Sequence, residues 1–151
     1  MSLKVLALVK GTCVDGVGLR TSIYFVGCRH HCKGCHNPES WSIDNGKEYT
    51  IDQLLETIKE EGFNVTFSGG DPFYQVEEVT KLAKRIKEET NFNIWVYTGY
   101  LYEDILKDDH LKQMLPYIDV LVDGPFIEEL RDEDLPFRGS RNQRILTLKD
   151  L

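Results

Sequence analysis

Four times along this chain a short run rich in β-branched and aromatic residues breaks off into a small, polar loop. Leu19 to Gly27 (LRTSIYFVG) runs into Cys28, and Phe63 to Phe67 (FNVTF) runs into Ser68-Gly69-Gly70-Asp71-Pro72. Phe92 to Tyr97 (FNIWVY) leads to Thr98-Gly99, and Ile118 to Val122 (IDVLV) leads to Asp123-Gly124-Pro125. Runs of this composition read as strands, and Gly, Pro and Asp as the turns that end them. Helical patterns lie between them. Thr50 to Gly62 carries a capping box between Thr50 and Gln53, an apolar stripe at Ile51, Leu54, Leu55 and Ile58, and a glycine stop. Val76, Val79, Leu82, Ala83 and Ile86 mark a second helix that ends near Asn91, and a third spans about Leu101 to Met114.

Alternating strands and helices predict a parallel sheet with right-handed crossovers. With residues 1–10 read as a further strand, about five mostly parallel strands can be counted, too few for a closed eight-stranded barrel of roughly 250 residues. An α/β fold remains, either an open partial (β/α) barrel or a doubly wound sheet. Both bind ligands at the carboxyl ends of the strands, where all four polar loops fall. A chain of 151 residues is one domain's worth, so residues 1–151 are expected to fold as a single unit without disulfides or metal staples.

The formal net charge of −7 argues against a nucleic-acid partner, which calls for a basic face. No run approaches the roughly 20 apolar residues of a membrane span, and Lys4 and Lys10 interrupt the N-terminal apolar stretch, so a soluble cytoplasmic protein with no membrane association is expected. In a reducing compartment four cysteines suggest metal or catalysis rather than disulfides.

Three of those cysteines, Cys28, Cys32 and Cys35, follow the second strand in a C-x3-C-x2-C spacing. Three thiolates that close can hold three corners of an iron-sulfur cube and leave the fourth iron open. A zinc site completed by His30, His31, His36 or Cys13 is the alternative, although zinc sites usually pair their ligands across a longer spacer. An electron carrier with a fully ligated cluster that recruits Cys13 is another. Cys13 itself, fifteen residues before Cys28, reads as an ordinary small thiol and is left out of the site. Ser68-Gly69-Gly70-Asp71 is either a plain strand-to-helix turn or a loop whose glycines let a ligand approach the backbone, with Ser68 and Asp71 gripping amino and carboxylate groups. Arg138, Arg141 and Arg144 form either a solvated basic loop or a grip on a carboxylate or a partner protein. Trp95 and Tyr97 are read as strand core.

The cysteine loop together with the strand-end Gly-Gly-Asp resembles the radical S-adenosylmethionine superfamily. More narrowly, six segments resemble its glycyl-radical activases, in the branch that serves the anaerobic ribonucleoside-triphosphate reductase. They are Asp15 to Arg20 (DGVGLR), Cys35 to Trp41 (CHNPESW), Ser68 to Pro72, Trp95 to Tyr100 (WVYTGY), Val122 to Phe126 (VDGPF) and Arg138 to Arg144 (RGSRNQR), and together they extend over nearly the whole chain. The resemblance implies a partial-barrel fold and a 4Fe-4S cluster on Cys28, Cys32 and Cys35 whose open iron chelates S-adenosylmethionine. Reductive cleavage then gives a 5′-deoxyadenosyl radical that takes hydrogen from a glycine of the large reductase subunit. It further implies that Gly34, Cys35 and His36 lie beside the cofactor, that Ser68, Gly69, Gly70 and Asp71 hold its methionine end, and that a reduced flavodoxin-like protein donates the electron. Two positions depart from the pattern: Gly34 stands where an aromatic precedes the third cysteine, and Val17 replaces a proline. An activase of another glycyl-radical enzyme, such as pyruvate formate-lyase, keeps the same chemistry with a different partner.

Overall fold

Strands that run parallel must be joined by crossovers, and the amphipathic segments of this chain supply them. The computed structural model describes residues 2–28 and 45–150. Among these, the chain forms β1 (Ser2–Thr12), β2 (Arg20–Phe25), β3 (Lys47–Thr50), α1 (Ile51–Glu61), β4 (Asn64–Gly69), α2 (Val76–Glu89), β5 (Ile94–Tyr97), α3 (Tyr102–Leu106), β6 (Val120–Asp123) and β7 (Arg144–Thr147). The strands make one open sheet in the order β3-β1-β2-β4-β5-β6-β7. The central pairings β2·β4, β4·β5 and β5·β6 are parallel, while β1, β3 and β7 join antiparallel at the sides.

The order β2-β4-β5-β6 never reverses, so crossovers of one hand lay their helices on one face of the sheet, unlike a doubly wound fold, which needs a reversal. The core follows from this. Ile23, Phe25, Val65, Phe67, Ile94, Val96 and Leu121 point from the sheet into a cluster with Leu54 and Ile58 of α1 and Val79, Leu82 and Ile86 of α2. Phe25 and Phe67 meet edge-on with centroids 5.5 Å apart. α1 begins at the expected capping box, with Gln53 N–H donating to Thr50 Oγ1 at 3.0 Å and Thr50 N–H to Gln53 Oε1 at 2.9 Å, and stops at Gly62 with φ 73°.

Side chains alternate along a strand, so the opposite face carries Arg20, Tyr24, Thr66, Ser68, Trp95 and Tyr97. Arg20 is completely buried there. Its guanidinium donates to Thr66 Oγ1 at 2.7 Å, Val17 O at 3.0 Å and Val65 O at 2.8 Å, and its Cζ lies 5.4 Å from the Trp95 ring centroid. Burial lowers its pKa to about 10, with the charges of Tyr97 and Asp119 opposing, so it stays cationic at neutral pH.

The strand count of about five is too low: among the described residues the sheet has seven, because the four-residue edge strands β3 and β7 are too short and too polar to show alternation. The third helix also differs. α3 stops at Leu106, since Asp108 Oδ1 accepts from the N–H groups of His110 and Leu111 and so starts a separate 3-10 helix, Leu111–Tyr117, that contains Pro116. Among the described residues no helix is long and apolar enough to cross a membrane.

A clamp closes the chain where β2 leaves the sheet. Val26 N–H donates to Lys4 O at 3.2 Å. The Gln75 amide donates to Lys4 O at 2.9 Å and Val26 O at 3.0 Å and accepts from Lys4 N–H at 2.9 Å. Gly46, which leads into β3, fits so tightly that a Cβ there would come within 2.8 Å of the Val26 side chain.

At Gly69, φ is 104° and a Cβ would come 2.3 Å from Phe25 O, a backbone atom of the neighbouring strand. Gly69→Ala should therefore destabilise the protein by about 3 kcal/mol or more, measured as a drop in urea midpoint at unchanged slope.

Candidate functional site

The loops that follow β2, β4, β5 and β6 gather at one rim, where backbone bonds tie them together. Gly70 N–H donates to Phe25 O and Asp71 N–H to Gly27 O, both at 2.8 Å, so the approach to Cys28 and the Ser68 to Asp71 loop run side by side. Thr98 N–H donates to Val122 O at 3.0 Å and Gly124 N–H to Tyr100 O at 2.9 Å, which extends the connection to the ends of β5 and β6. Cys28, three residues past β2, is 9 % exposed. Gly27 beside it has φ 97°, and its missing side chain makes room for the Tyr74 ring, whose carbon would lie 2.2 Å from a Cβ.

Asp71 is the brace of this rim, and it is 1 % exposed. Its Oδ1 accepts from Phe73 N–H and Thr98 Oγ1, both at 3.0 Å, and its Oδ2 accepts from Thr98 Oγ1 and Gly99 N–H, both at 2.9 Å. Thr98 Oγ1 accepts in turn from Tyr100 N–H at 3.1 Å. Three donors of its own chain thus converge on the carboxylate. It caps the 3-10 helix Pro72–Gln75 and fixes the β5 loop, and it leaves the half-buried Ser68, Gly69 and Gly70 as the groups of that loop presented at the rim.

A second carboxylate closes the far side. Asp123, fully buried, accepts from Tyr102 N–H at 2.8 Å and pairs with Arg144, whose guanidinium also reaches both oxygens of Glu103 at 2.8 Å. Arg144 therefore serves the fold by pinning β7 and α3 to β6. The Arg144 hydrogen bonds hold the Glu103 carboxyl at about 2, below its ordinary 4.5. Of the other two arginines, Arg138 reaches Gln143 O at 3.4 Å and Arg141 is exposed.

On the sheet face away from the helices, the loop before β2 brings in Asp15. Thr66 Oγ1, itself held by Arg20, donates to Asp15 O at 2.8 Å, and Tyr24 donates its hydroxyl to the Asp15 carboxylate. Tyr24 pairs with Ser68 in the β2·β4 register, and one step beyond the Phe67·Val96 pair brings Ser68 beside Tyr97. Asp15, Tyr24 and Ser68 thus share a patch with Tyr97. Burial, then the Asp15 bond, raises the Tyr24 phenol well above its usual range, and burial, then the Asp15 charge, does the same for Tyr97.

Of the residues expected from sequence, Cys28, Ser68, Gly69, Gly70 and Asp71 meet at this rim, while Cys32, Gly34, Cys35 and His36 lie outside the described residues. Cys13 is exposed and belongs to the other end of β2, where Thr12 pairs with Arg20. The five steps from Arg20 to Phe25 span roughly 16 Å, which sets Cys13 far beyond the ~2.3 Å reach of a metal shared with Cys28. An electron carrier or zinc site completed by Cys13 is excluded by that separation. Cys28 fits an iron-sulfur cluster: a thiol held in a mostly buried strand exit, next to a half-buried glycine loop. Tyr97, expected in the strand core, stands instead half-buried on the opposite face, because it alternates with the core residues Ile94 and Val96, and Tyr24 carried no sequence signal.

A family model described as 4Fe-4S single cluster domain matches residues 14–146. Proteins named anaerobic ribonucleoside-triphosphate reductase-activating protein are similar over most of their length. The one from Haemophilus influenzae is 42% identical over 147 residues, 90% of this chain and 92% of that protein. The one from Vibrio cholerae is 40% identical over 141 residues, 87% and 90% of the two chains. The one from Escherichia coli is 37% identical over 147 residues, 90% and 93%.

Two measurements check this geometry. Asp71→Ala, which strands the N–H groups of Phe73 and Gly99 and the Thr98 hydroxyl, should cost about 3 kcal/mol in urea unfolding, with Asp71→Asn in between. Because the Glu103 pKa is depressed in the folded state, its contribution is complete above 4.5 and lost as pH falls to about 2. The wild-type urea midpoint should fall across that window more steeply than that of Glu103→Gln.

Proposed function

Because the chain belongs to the anaerobic ribonucleoside-triphosphate reductase-activating proteins and carries their 4Fe-4S domain, we propose that it generates the glycyl radical of such a reductase by reductive cleavage of S-adenosylmethionine. The observation that carries this reading is the side-by-side placement of the buried Cys28 and the Ser68 to Gly70 loop at the carboxyl ends of adjacent parallel strands. When bound, the cluster and S-adenosylmethionine supply a 5′-deoxyadenosyl radical that takes a hydrogen atom from the substrate glycine.

The protein's part is to hold, orient and shield. Cys28, with Cys32 and Cys35, would hold the cluster. Gly34, Cys35 and His36 would lie beside S-adenosylmethionine. Ser68 and the backbone of Gly69 and Gly70 would hold its methionine end, with Asp71 acting through them by fixing the loop. The polar face beside Asp15, Tyr24 and Tyr97 would admit the glycine-bearing segment of the large reductase subunit, a protein surface that needs no basic patch. In the same reading the sheet is the open partial (β/α) barrel of the radical S-adenosylmethionine enzymes, folded as a single domain over residues 1–151. The protein works in the cytoplasm, with a reduced flavodoxin-like protein as electron donor.

Anaerobic reconstitution with iron and sulfide, followed by dithionite and S-adenosylmethionine, should yield 5′-deoxyadenosine. Adding the reductase should produce its glycyl radical in electron paramagnetic resonance. Cys28→Ala should lose the brown cluster and both products, and Cys13→Ala should keep them. A well-formed cluster that cleaves no S-adenosylmethionine sinks the reading, whereas cleavage with a radical formed only on another glycyl-radical enzyme changes the partner.

A further inference from the structure

Aromatic rings usually pack among other side chains, but the ring of Tyr74 is laid against bare backbone at the residue before Cys28. Gly27 is buried with φ 97°, and a Cβ there would meet three carbons of that ring, at 2.2, 2.7 and 2.8 Å. The backbone conformation and the contact each demand glycine. Tyr74 takes no part in the hydrophobic core, so core packing does not account for it.

Both neighbours of Tyr74 are fixed, which fixes the ring. Phe73 is 2 % exposed and meets Tyr100 edge-on with centroids 6.2 Å apart, and the Gln75 amide is bonded to Lys4 and Val26. Tyr74 N–H closes the turn on Asp71 O at 2.9 Å. The ring itself is 38 % exposed, and with Gln75, Glu77 and His110 it lines an open surface depression of about 270 Å³, room for several waters at ~30 Å³ each. Neither Gly27 nor Cys28 lines that depression, although Tyr74 touches Gly27. One aromatic ring thus separates solvent from the buried backbone that carries the Cys28 thiol.

Resting on the function proposed above, we infer that the Tyr74 ring is the wall that keeps water from the Cys28 side of the iron-sulfur cluster and so holds its reduction potential low. An added electron increases the negative charge of the cluster, which water stabilises, so excluding water makes the reduced cluster the stronger donor. Breaking a sulfonium bond with one electron calls for such a donor. Tyr74 touches no reacting atom in this role and acts through the solvent around Cys28.

The test compares Tyr74→Ala and Tyr74→Phe with wild type, each as the full chain reconstituted anaerobically with iron and sulfide. In a redox titration followed by electron paramagnetic resonance, Tyr74→Phe should keep the wild-type midpoint. Tyr74→Ala should be reduced more readily, by about tenfold in the equilibrium constant or ~59 mV for one electron. It should also release iron to a chelator several-fold faster. Tyr74→Leu, apolar but narrower than the ring, should fall between the two and replaces Tyr74→Ala if that chain does not fold. A loss of stability alone moves the melting temperature and not the midpoint. A wild-type midpoint in Tyr74→Ala overturns the inference whatever the rate of iron release. A Tyr74→Phe midpoint displaced as far as that of Tyr74→Ala assigns the effect to the hydroxyl and overturns it equally. A wild-type chain that takes up no 4Fe-4S cluster sinks the functional reading and this inference together. A cluster that forms but cleaves no S-adenosylmethionine sinks that reading alone, and the midpoints still decide the role of Tyr74.

Discussion

The carboxylate of Asp71 holds together the end of the molecule where the chemistry is placed. Parallel strands align their carboxyl ends but do not fix the loops that follow, since each loop leaves toward its own helix. Asp71 accepts from the start of its own helical turn and from Thr98 and Gly99 across the gap, while its N–H reaches Gly27 on the other side. One residue, through its side chain and its N–H, thereby sets the relative positions of three strand exits. Buried charge is expensive unless its lone pairs meet donors, and here three donors of this chain meet them. The glycines beside it stay half-buried at the rim, with no side chains of their own in the way.

The two faces of the sheet divide the work. The face under α1 and α2 is almost wholly aliphatic and aromatic and supplies the core. The other face is built on Arg20, a cation buried against carbonyls, Thr66 and the Trp95 ring rather than against a carboxylate. Through Thr66 and Val17 it anchors the loop that carries Asp15. A charge placed there organises polar groups that a hydrocarbon core could not hold in place.

The central strands, two long helices and the rim were legible in the sequence because each leaves a local signature. Thr50 and Gln53 announce a capping box, Ile51 to Ile58 and Val76 to Ile86 keep helical spacing, and the strand-end loops carry Gly, Asp and Pro. What was hidden depends on contacts distant in sequence. The edge strands at Lys47–Thr50 and Arg144–Thr147 exist only because β1 and β6 offer them an edge. The break after Leu106 turns on which N–H groups Asp108 captures. Asp71 read as a ligand group because carboxylates bind amines, and the three donors it accepts from, Phe73, Thr98 and Gly99, show that it also braces the scaffold. Arg144 likewise read as part of a basic run, whereas Asp123 and Glu103 claim it from twenty-one and forty-one residues away.

The clamp of Gln75 on Lys4 and Val26, with Gly46 packed against Val26, bears on the cysteine-bearing segment that follows β2. The chain between Cys28 and Asn45 leaves and re-enters the sheet at neighbouring points that hydrogen bonds and packing already hold together. The entropy of closing a loop of that length is therefore borne by the fold rather than by whatever binds within the loop. A group that binds anywhere along that segment therefore meets a chain whose two ends are already tied to each other, and its binding energy is not spent on bringing them together.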